Sequence, residues 1–367
     1  MKLNDLPLPA HRAVPKNSWK PPAGVRIISS DDHNSEADHL FEERLPAKWK
    51  SKAPVFYRDG NRIVFQAEGR DLIPQGVGDE IVMGLPGQFD VPTHLRDMDA
   101  ENIEAAMVFH GQFQALNGLE DKELYWACVD VYNEWLIEYL KPYSKRMAGV
   151  AILPSFLNPE TARDYIQKIK QLGYKALQMP HSPKGIRWNS MSMEPVWAAI
   201  EESGLPLSFH AGAYKHFVGN GSMGANLTAN LCPYRNLFGA LVFSGALDRH
   251  PGLKVVFHEG GAAWVAQALV DMDYIVAAFG TRLSPKLGKR PAEYWKRQCY
   301  ASFMVDPIAL RLVDVIGEDN IMWCADYPHP EGTWGFSGEL LKECYETLGP
   351  TAGAKFLGGN AARLWGI

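Results

Sequence analysis

Eight short apolar segments, separated by stretches with helical periodicity, constrain the fold of this 367-residue chain more than any other feature. Most of them are continuously apolar rather than alternating, which is typical of parallel strands that are covered on both faces of a sheet. AAMVFH (105–110) and LKVVFHE (253–259) show this pattern clearly. The predicted strands are residues 25–29, 105–110, 147–153, 174–180, 205–211, 253–259, 298–303 and 320–326.

The connections between these segments indicate an α/β fold of the (β/α)8 type, the TIM barrel, in which parallel strands alternate with helices. Residues 160–173 and 192–204 are amphipathic, and each segment ends at a glycine suited to terminate a helix. A doubly wound open sheet is the alternative. It is less well supported, because the chain has neither GxGxxG after a first strand nor GxxxxGK[ST].

A TIM barrel occupies about 250 residues, so roughly a hundred residues remain for additional elements. We assign them to a proline-rich N-terminal arm at residues 1–24 and to an insertion at residues 34–100, between the first strand and its helix. Two alternating runs around Asp59 and Gly60 predict a small hairpin in this insertion. Residues 25–367 are thus expected to form one metal-dependent barrel domain.

Composition restricts the partners and the compartment. The net charge of −5 argues against nucleic acid or an anionic membrane as the main partner, and favours a small-molecule substrate. The sequence contains no run of 18 apolar residues, and its first 22 residues lack the apolar core of a secretory signal. Its five cysteines are widely scattered and form no CxxC pair, so a disulfide framework is not expected. We therefore predict a cytoplasmic protein.

Histidines occur at one end of the predicted strands. Of the eleven histidines, five lie at or just beyond the carboxyl end of a strand, and Asp326 closes the eighth strand in the same way. In a barrel these ends converge on one face, where active sites are built. His110 and His181 could instead be packed side chains that bond to backbone. The five histidines are His33, His110, His181, His210 and His258.

The first strand supplies the beginning of a predicted metal site. Asp31 and His33 are two residues apart on an extended chain, so their side chains point to the same face, whereas Asp32 points away and is expected to be structural. Together with His210 and Asp326 they would offer two nitrogen and two oxygen donors. This set suits zinc, or alternatively manganese, with a position left open for water.

Four motifs resemble the amidohydrolase superfamily, in particular the amidohydrolase 2 branch that includes enzymes similar to aminocarboxymuconate-semialdehyde decarboxylase. They are DDH at 31–33, FHAG at 209–212, FHEGG at 257–261 and CADYPHPEGTW at 324–334. The resemblance implies that Asp31 replaces the first histidine of an HxH pair and that His210 and Asp326 are metal ligands. It also implies a homodimer.

Two-metal members of this superfamily use a carboxylated lysine near the end of the fourth strand. Here that strand ends in QMPH, and Lys175 lies at its start, away from the expected catalytic face. We therefore expect a single divalent ion.

The resemblance leaves two chemistries open. In hydrolysis, which we expect first, Asp326 would take a proton from a metal-activated water and His258 would polarise the substrate carbonyl. In non-oxidative decarboxylation of an aromatic or muconate-type acid, Asp326 would protonate the carbon that loses CO2. A barrel that binds a ligand without turnover is a third possibility, and it would require an incomplete metal set.

Other side chains are candidates for the rim of the site. We predict substrate contacts for His181, His329, Arg58 and Trp334, although arginines and aromatic residues also serve surfaces and cores. Glu36 could support His33 from a second layer, or it could be a solvated loop residue.

Overall fold

Strands of two separate sheets account for all the β-structure in the residues that the computed structural model describes. These residues are 6–16, 18–60, 62–72, 85–154, 157–158, 160–180, 187–212, 217–230 and 234–367. In chain order the strands are β1 (Ile28–Asn34), β2 (Val55–Asp59), β3 (Arg62–Ala67), β4 (Arg70–Asp71), β5 (Ala105–His110), β6 (Met147–Ile152), β7 (Ala176–Pro180), β8 (Leu207–His210), β9 (Val255–His258), β10 (Cys299–Phe303) and β11 (Ile321–Trp323).

Eight of these strands form one parallel sheet in the order β1-β5-β6-β7-β8-β9-β10-β11. Hydrogen bonds between β1 and the segment that follows β11 bring the two edges together. The amide of Asp326 donates to the carbonyl of Asp31 at 2.9 Å, and the amide of His33 donates to the carbonyl of Tyr327 at 2.7 Å. The predicted TIM barrel is therefore confirmed.

Helices cover the outside of this barrel. In the described residues they are α1 (Leu40–Arg44), α2 (Val91–Ala100), α3 (Lys122–Leu140), α4 (Ala162–Gln171), α5 (Glu194–Ser203), α6 (Ser222–Asn230), α7 (Tyr234–Phe243), α8 (Ala246–Arg249), α9 (Ala263–Phe279), α10 (Pro291–Gln298), α11 (Pro307–Arg311), α12 (Val313–Ile316), α13 (Ser337–Ala354) and α14 (Asn360–Trp365). The left-handed Gly204, at φ 71°, ends α5, as the sequence predicts. None of these helices combines the length and the apolar character that crossing a bilayer would require.

Two apolar clusters hold the layers together. The smaller one includes Met107, Val256 and Met322 and lies among the inward-facing residues of the barrel strands. The larger one, which includes Val108 and Phe257, packs the strands against the surrounding helices. Because side chains alternate along a strand, continuously apolar sequences serve both clusters at once.

The first strand differs from the prediction. The sequence indicates residues 25–29, but β1 runs from Ile28 to Asn34 and all seven of its residues are buried. The polar second half extends the strand because its side chains find partners inside the protein, for example Ser30 with the carbonyl of Trp323 at 2.7 Å. A register shift between Ser29 and Asp32 interrupts its pairing with β5. Hydrophobicity alone cannot reveal such a buried polar strand.

The additional elements lie where the sequence predicts them. In the insertion, β2 pairs with β3 as an antiparallel hairpin, and β4 adds a short third strand. The N-terminal arm packs against the loop that follows β11, since Arg12 donates to the carbonyl of Gly332 at 2.7 Å. At the start of α13, which follows this loop, a side chain at Gly338 would collide with Ser18. The arm therefore supports the segment that carries Asp326.

Candidate metal centre

Asp31 and His33 point into the barrel because of the irregularity in β1. The register shift between Ser29 and Asp32 is a bulge, and bulges commonly redirect side chains at barrel rims and beside active sites. Asp32 faces the opposite way, where its carboxylate contacts His94 Nε2 at 3.0 Å and accepts a hydrogen bond from Ser29 Oγ at 2.7 Å. Asp31 and His33 therefore lie on one side of β1 and Asp32 on the other, and the site roles of Asp31 and His33 stay predictions.

Four predicted ligands converge at the carboxyl ends of the strands. Asp31 Oδ2 lies 3.0 Å from His210 Nε2, and Asp31 Oδ1 lies 3.4 Å from His33 Nε2. His33 Nε2 also lies 3.2 Å from Asp326 Oδ1. The side chains of Asp31 and Asp326 are fully buried.

Five buried polar atoms of these four side chains have no hydrogen-bond partner among the described residues. They are both carboxylate oxygens of Asp31, Nε2 of His33 and of His210, and Oδ2 of Asp326. Buried polar atoms are nearly always paired, so a cluster of unpaired ones requires an explanation. Atoms that point at a common ion rather than at one another give this arrangement, and the donor set fits a divalent cation.

The remaining ring nitrogens orient both histidines. His33 Nδ1 is 2.6 Å from the carbonyl of His110, and His210 Nδ1 is 2.8 Å from the carbonyl of Ala211. A carbonyl can only accept, so Nδ1 is a donor in both rings, and in the neutral ring that binds a metal Nε2 is the nitrogen with the free electron pair. Such second-layer contacts fix the tautomer of metal-binding histidines.

The protein without an ion holds a proton in this cluster. Burial lowers the pKa of His210, but Asp31 and Glu259 outweigh it and raise the pKa to about 10. Burial likewise raises the pKa of Asp31, but His210 and His258 bring it well below its usual value. A charged imidazole therefore faces a carboxylate here, and a bound cation would displace that proton.

Asp326 lies just beyond β11 in the left-handed region, at φ 54°. Its Oδ1 is 2.9 Å from His329 Nδ1. Burial, partly offset by His329, raises the pKa of Asp326 to about 6. A backbone conformation that costs about 1–3 kcal/mol persists where the surroundings impose it, and such positions cluster at functional sites.

His258 lies deeper in the barrel than the rim. Its Nδ1 is 3.4 Å from Asp31 Oδ2, and its Nε2 is 3.1 Å from Ser208 Oγ. The ring also packs 4.7 Å from that of Phe109. The structure thus brings the predicted catalytic histidine beside Asp31, in a fully buried position.

Glu259 belongs to the cluster and is absent from the sequence-based prediction. Its carboxylate lies 3.4 Å from His210 Nδ1 and 3.6 Å from His329 Nδ1, and its φ of 60° is left-handed. With His33, Asp326 and His329 it forms a second, overlapping group of possible donors. The sequence did offer one indication of this role, since Glu259 directly follows His258, the last residue of β9.

The residues predicted at the rim are placed differently. His329 joins the cluster, with its ring 4.3 Å from that of His33. Arg58 instead pairs with Asp38 at 3.3 Å and lies 4.3 Å above the ring of Phe89. Trp334 is buried in the loop beyond Asp326. His181 lies outside the described residues.

Glu36 is buried, so the alternative of a solvated loop residue is wrong. Its carboxylate accepts hydrogen bonds from the amides of Gln112 and Phe113, at 3.0 and 2.9 Å. It therefore supports the segment after His110, whose carbonyl orients His33. Glu36 thus acts on His33 indirectly, through this segment, and not by a direct hydrogen bond.

The fourth barrel strand, β7, has the sequence ALQMP and contains no lysine. Gln178, in the middle of β7, places its Nε2 3.0 Å from Nε2 of His110, the last residue of β5. Lys175 is exposed and precedes β7.

Known proteins share this architecture. A curated relative, 2-amino-3-carboxymuconate-6-semialdehyde decarboxylase of Dictyostelium discoideum, is 25% identical over 263 residues, which are 66% of this chain and 69% of the relative. An amidohydrolase of Mycobacterium avium subsp. paratuberculosis superposes with a TM-score of 0.74 at 21% identity, covering 94% of this chain and 98% of that one.

A 5-carboxyvanillate decarboxylase of Novosphingobium aromaticivorans, solved with bound manganese and a nitrobenzoic acid, gives a TM-score of 0.68 at 16% identity and covers 95% of this chain and 99% of that one. These likenesses to solved structures show the fold. The sequence profile of the amidohydrolase family matches residues 39–367. This chain belongs to the amidohydrolase family.

Proposed function

We propose that this protein is a metal-dependent decarboxylase of an aromatic or muconate-type carboxylic acid. The observation that carries the proposal is the set of buried unpaired donor atoms on Asp31, His33, His210 and Asp326, which belong to two overlapping groups of possible metal ligands that share His33. The relative in Dictyostelium discoideum, itself a decarboxylase, directs the choice of reaction. The comparisons therefore favour the second of the two chemistries derived from the sequence over the hydrolysis that we expected first.

The proposed ligands are Asp31, His33, His210 and Asp326. A bound divalent ion supplies positive charge that can hold a substrate carboxylate and an adjacent oxygen. Manganese is the ion named for the 5-carboxyvanillate decarboxylase, and a set of two imidazoles and two carboxylates also accepts zinc. We propose manganese first, in place of the zinc expected from the sequence.

The chain itself supplies the proton. When the carbon–carbon bond to the carboxylate breaks, CO2 leaves. The electron pair of that bond remains on the substrate carbon, which must then take up a proton. Asp326 is the proposed donor, because its Oδ1 is held by His329 at 2.9 Å while its Oδ2 has no partner among the described residues. A positioned carboxyl group contributes about 10²–10⁴-fold to such a step.

His258 and Glu259 are proposed as supporting residues. His258 lies 3.4 Å from Asp31, so its bond to Ser208 helps to keep the Asp31 carboxylate in place. Glu259 lies 3.4 Å from the outer nitrogen of His210, the position from which carboxylates commonly orient a metal-binding histidine. We therefore infer that His258 acts through Asp31 rather than on a substrate carbonyl.

The test is to load metal-free protein with manganese or zinc and to assay a panel of hydroxylated and methoxylated benzoic acids and unsaturated diacids. We expect release of CO2 and a product with hydrogen in place of the carboxylate, with deuterium at that carbon when the reaction runs in D2O. A panel of amides, lactones and esters serves as the control. Hydrolysis of these without any CO2 release would contradict the proposal, and full metal loading with no turnover of either panel would favour a ligand-binding barrel.

Two further properties stay predictions. We propose a homodimer, to be measured by light scattering coupled to size-exclusion chromatography, and a monomer of about 41 kDa would contradict it. We also propose a cytoplasmic location, which fractionation of the source cells would test.

A further inference from the structure

His110 and Gln178 form a polar pair beside the proposed metal ligands. His110 is the last residue of β5, and Gln178 lies in β7 in register with Ser208. Their side chains meet across the intervening β6 at 3.0 Å. The ring of His110 is 6.4 Å from the rings of both His33 and His210. The pair therefore forms one wall of the cluster.

Most of the hydrogen-bonding capacity of this pair is unused. His110 and Gln178 are 3% and 6% exposed, yet in the described part of the chain neither Nδ1 of His110 nor Oε1 of Gln178 has a hydrogen-bond partner. The carbonyl of His110 is already occupied by His33. Buried polar side chains without partners are uncommon and indicate a ligand or a functional role.

The free atoms include both a donor and an acceptor, whichever way the amide is turned. If the Gln178 amide nitrogen donates to His110 Nε2, then His110 Nδ1 carries a proton and Gln178 Oε1 is a free acceptor. If the amide is reversed, Gln178 has free N–H groups and His110 Nδ1 is the free acceptor. A ligand group that both donates and accepts satisfies either arrangement.

The pair offers both a donor and an acceptor, which disfavours an ionised carboxylate as its ligand. With the Gln178 amide nitrogen donating to Nε2, the His110 ring carries a single proton, on Nδ1, and is neutral. An ionised carboxylate only accepts hydrogen bonds and would leave the free acceptor unpaired. A hydroxyl or amino group does not have this defect.

We propose that His110 and Gln178 bind a hydroxyl or amino substituent of the substrate, and so select acids that carry such a group near the carboxylate. This inference rests on the proposed function, because it places the substrate carboxylate at the metal. His110 and Gln178 are then specificity residues, distinct from the metal ligands and from Asp326.

The test uses manganese-loaded protein and matched pairs of small ligands, 2-hydroxybenzoate with 2-fluorobenzoate and 3-hydroxybenzoate with 3-fluorobenzoate. Fluorine is close to hydroxyl in size but cannot donate a hydrogen bond. We expect titration calorimetry to show a preference of about tenfold or more for the hydroxyl ligand of at least one pair, the size of effect that one lost hydrogen bond produces.

Gln178→Met, which keeps the length of the side chain without its polar atoms, should remove about tenfold of that preference. Metal content and affinity for benzoate should change little. A hydroxyl that instead binds the ion would keep its preference in this variant. The matched control is Gln267→Met on the exposed face of α9, which should leave the preference intact.

Equal binding of hydroxyl and fluoro ligands by the wild-type protein would overturn the inference, as would a preference that Gln178→Met leaves unchanged. If Gln178→Met does not fold, Gln178→Asn replaces it. This variant keeps the amide on a side chain that is one methylene shorter, and the preference for hydroxyl over fluoro ligands is compared in the same way. Binding is measured without turnover, so this result is independent of the reaction. Active decarboxylation with an unchanged preference would refute the inference alone, whereas failure of catalysis with the expected preference would refute only the proposed reaction.

Discussion

Buried carboxylates occupy two regions of the molecule under opposite conditions. At the rim of the barrel, Asp31 and Asp326 keep oxygens without hydrogen-bond partners among the described residues. Behind the rim, Glu101 accepts from the amides of Gly335 and Ser337, both at 3.0 Å, and from Ser337 Oγ at 2.9 Å. Both regions are buried, but only in the second do the carboxylate oxygens have hydrogen-bond donors.

This difference distinguishes the carboxylates proposed to bind metal and substrate from those that stabilise neighbouring loops. Glu101 uses its carboxylate to hold the loop after Asp326, and Glu36 does the same for the segment after His110. The unpaired oxygens at the rim can still bind a cation or a substrate. The carboxylates of Glu101 and Glu36 are already occupied by hydrogen-bond donors of the protein. The two classes should therefore respond differently to substitution.

Asp326→Asn should have the largest effect. Removing the proton-donating carboxyl at the rim is expected to lower kcat by about a thousandfold, within the range of general acid catalysis. Most of the metal should remain, because the amide oxygen can still bind it. Steady-state kinetics with metal analysis on the same sample measures both. The control is Asp314→Asn on the exposed side of α12, and near wild-type turnover in Asp326→Asn would remove Asp326 from the mechanism.

His210→Ala should chiefly affect metal binding. Loss of one imidazole from the proposed set is expected to weaken metal affinity by at least about a hundredfold, the upper range for residues that merely support a ligand. Competition with a chelator followed by mass spectrometry gives the affinity. His11→Ala, at an exposed position in the arm, is the matched variant. Unchanged metal content in His210→Ala would mean that the ion binds elsewhere.

Glu101→Ala should act on stability instead. Two amides and one hydroxyl would lose their acceptor, so the free energy of unfolding should fall by about 3 kcal/mol, with turnover per folded molecule kept within about tenfold. Urea denaturation is the measurement, with the exposed Glu346→Ala as control. A loss of activity comparable to that of Asp326→Asn would break the distinction between rim and support.

Glu36 should give the smallest effect, visible as a pH dependence. Burial raises its pKa to about 7, so between about pH 5 and 7 the folded chain holds a proton that the unfolded chain releases. The free energy of unfolding contributed by this group therefore falls as the pH rises through 7. Glu36→Gln should flatten that slope by about 1 kcal/mol per pH unit. Denaturation series at several pH values test this, and parallel slopes would show that Glu36 is ionised throughout.

The barrel could be predicted because its strands are apolar on both faces. β5, β8 and β9 each end at the histidine expected from the sequence, His110, His210 and His258. The hairpin around Gly60 could also be predicted, because two alternating apolar and polar runs on either side of a turn residue rarely form any other structure.

The remainder depends on backbone geometry that residue patterns do not encode. The left-handed conformations of Glu259 and Asp326 set where their carboxylates lie in the cluster, and the buried polar half of β1 extends the strand beyond its apolar segment. Arg58 was expected near the substrate, but Asp38 and Phe89 were available partners at the surface. Such competition becomes visible only after the chain has folded.

Closure of the barrel has a consequence for folding. Asp31 lies in the first strand of the sheet and Asp326 follows the last one. Their backbones form one of the hydrogen bonds across the seam, the line along which the two edges of the barrel meet. Nearly the whole domain must be synthesised before this seam can form. An ion bound by residues on both sides would stabilise these hydrogen bonds. Removing it should therefore break them more readily than those in any other part of the sheet. Amide hydrogens of His33 and Asp326 would then exchange with solvent earlier than those of β8 and β9.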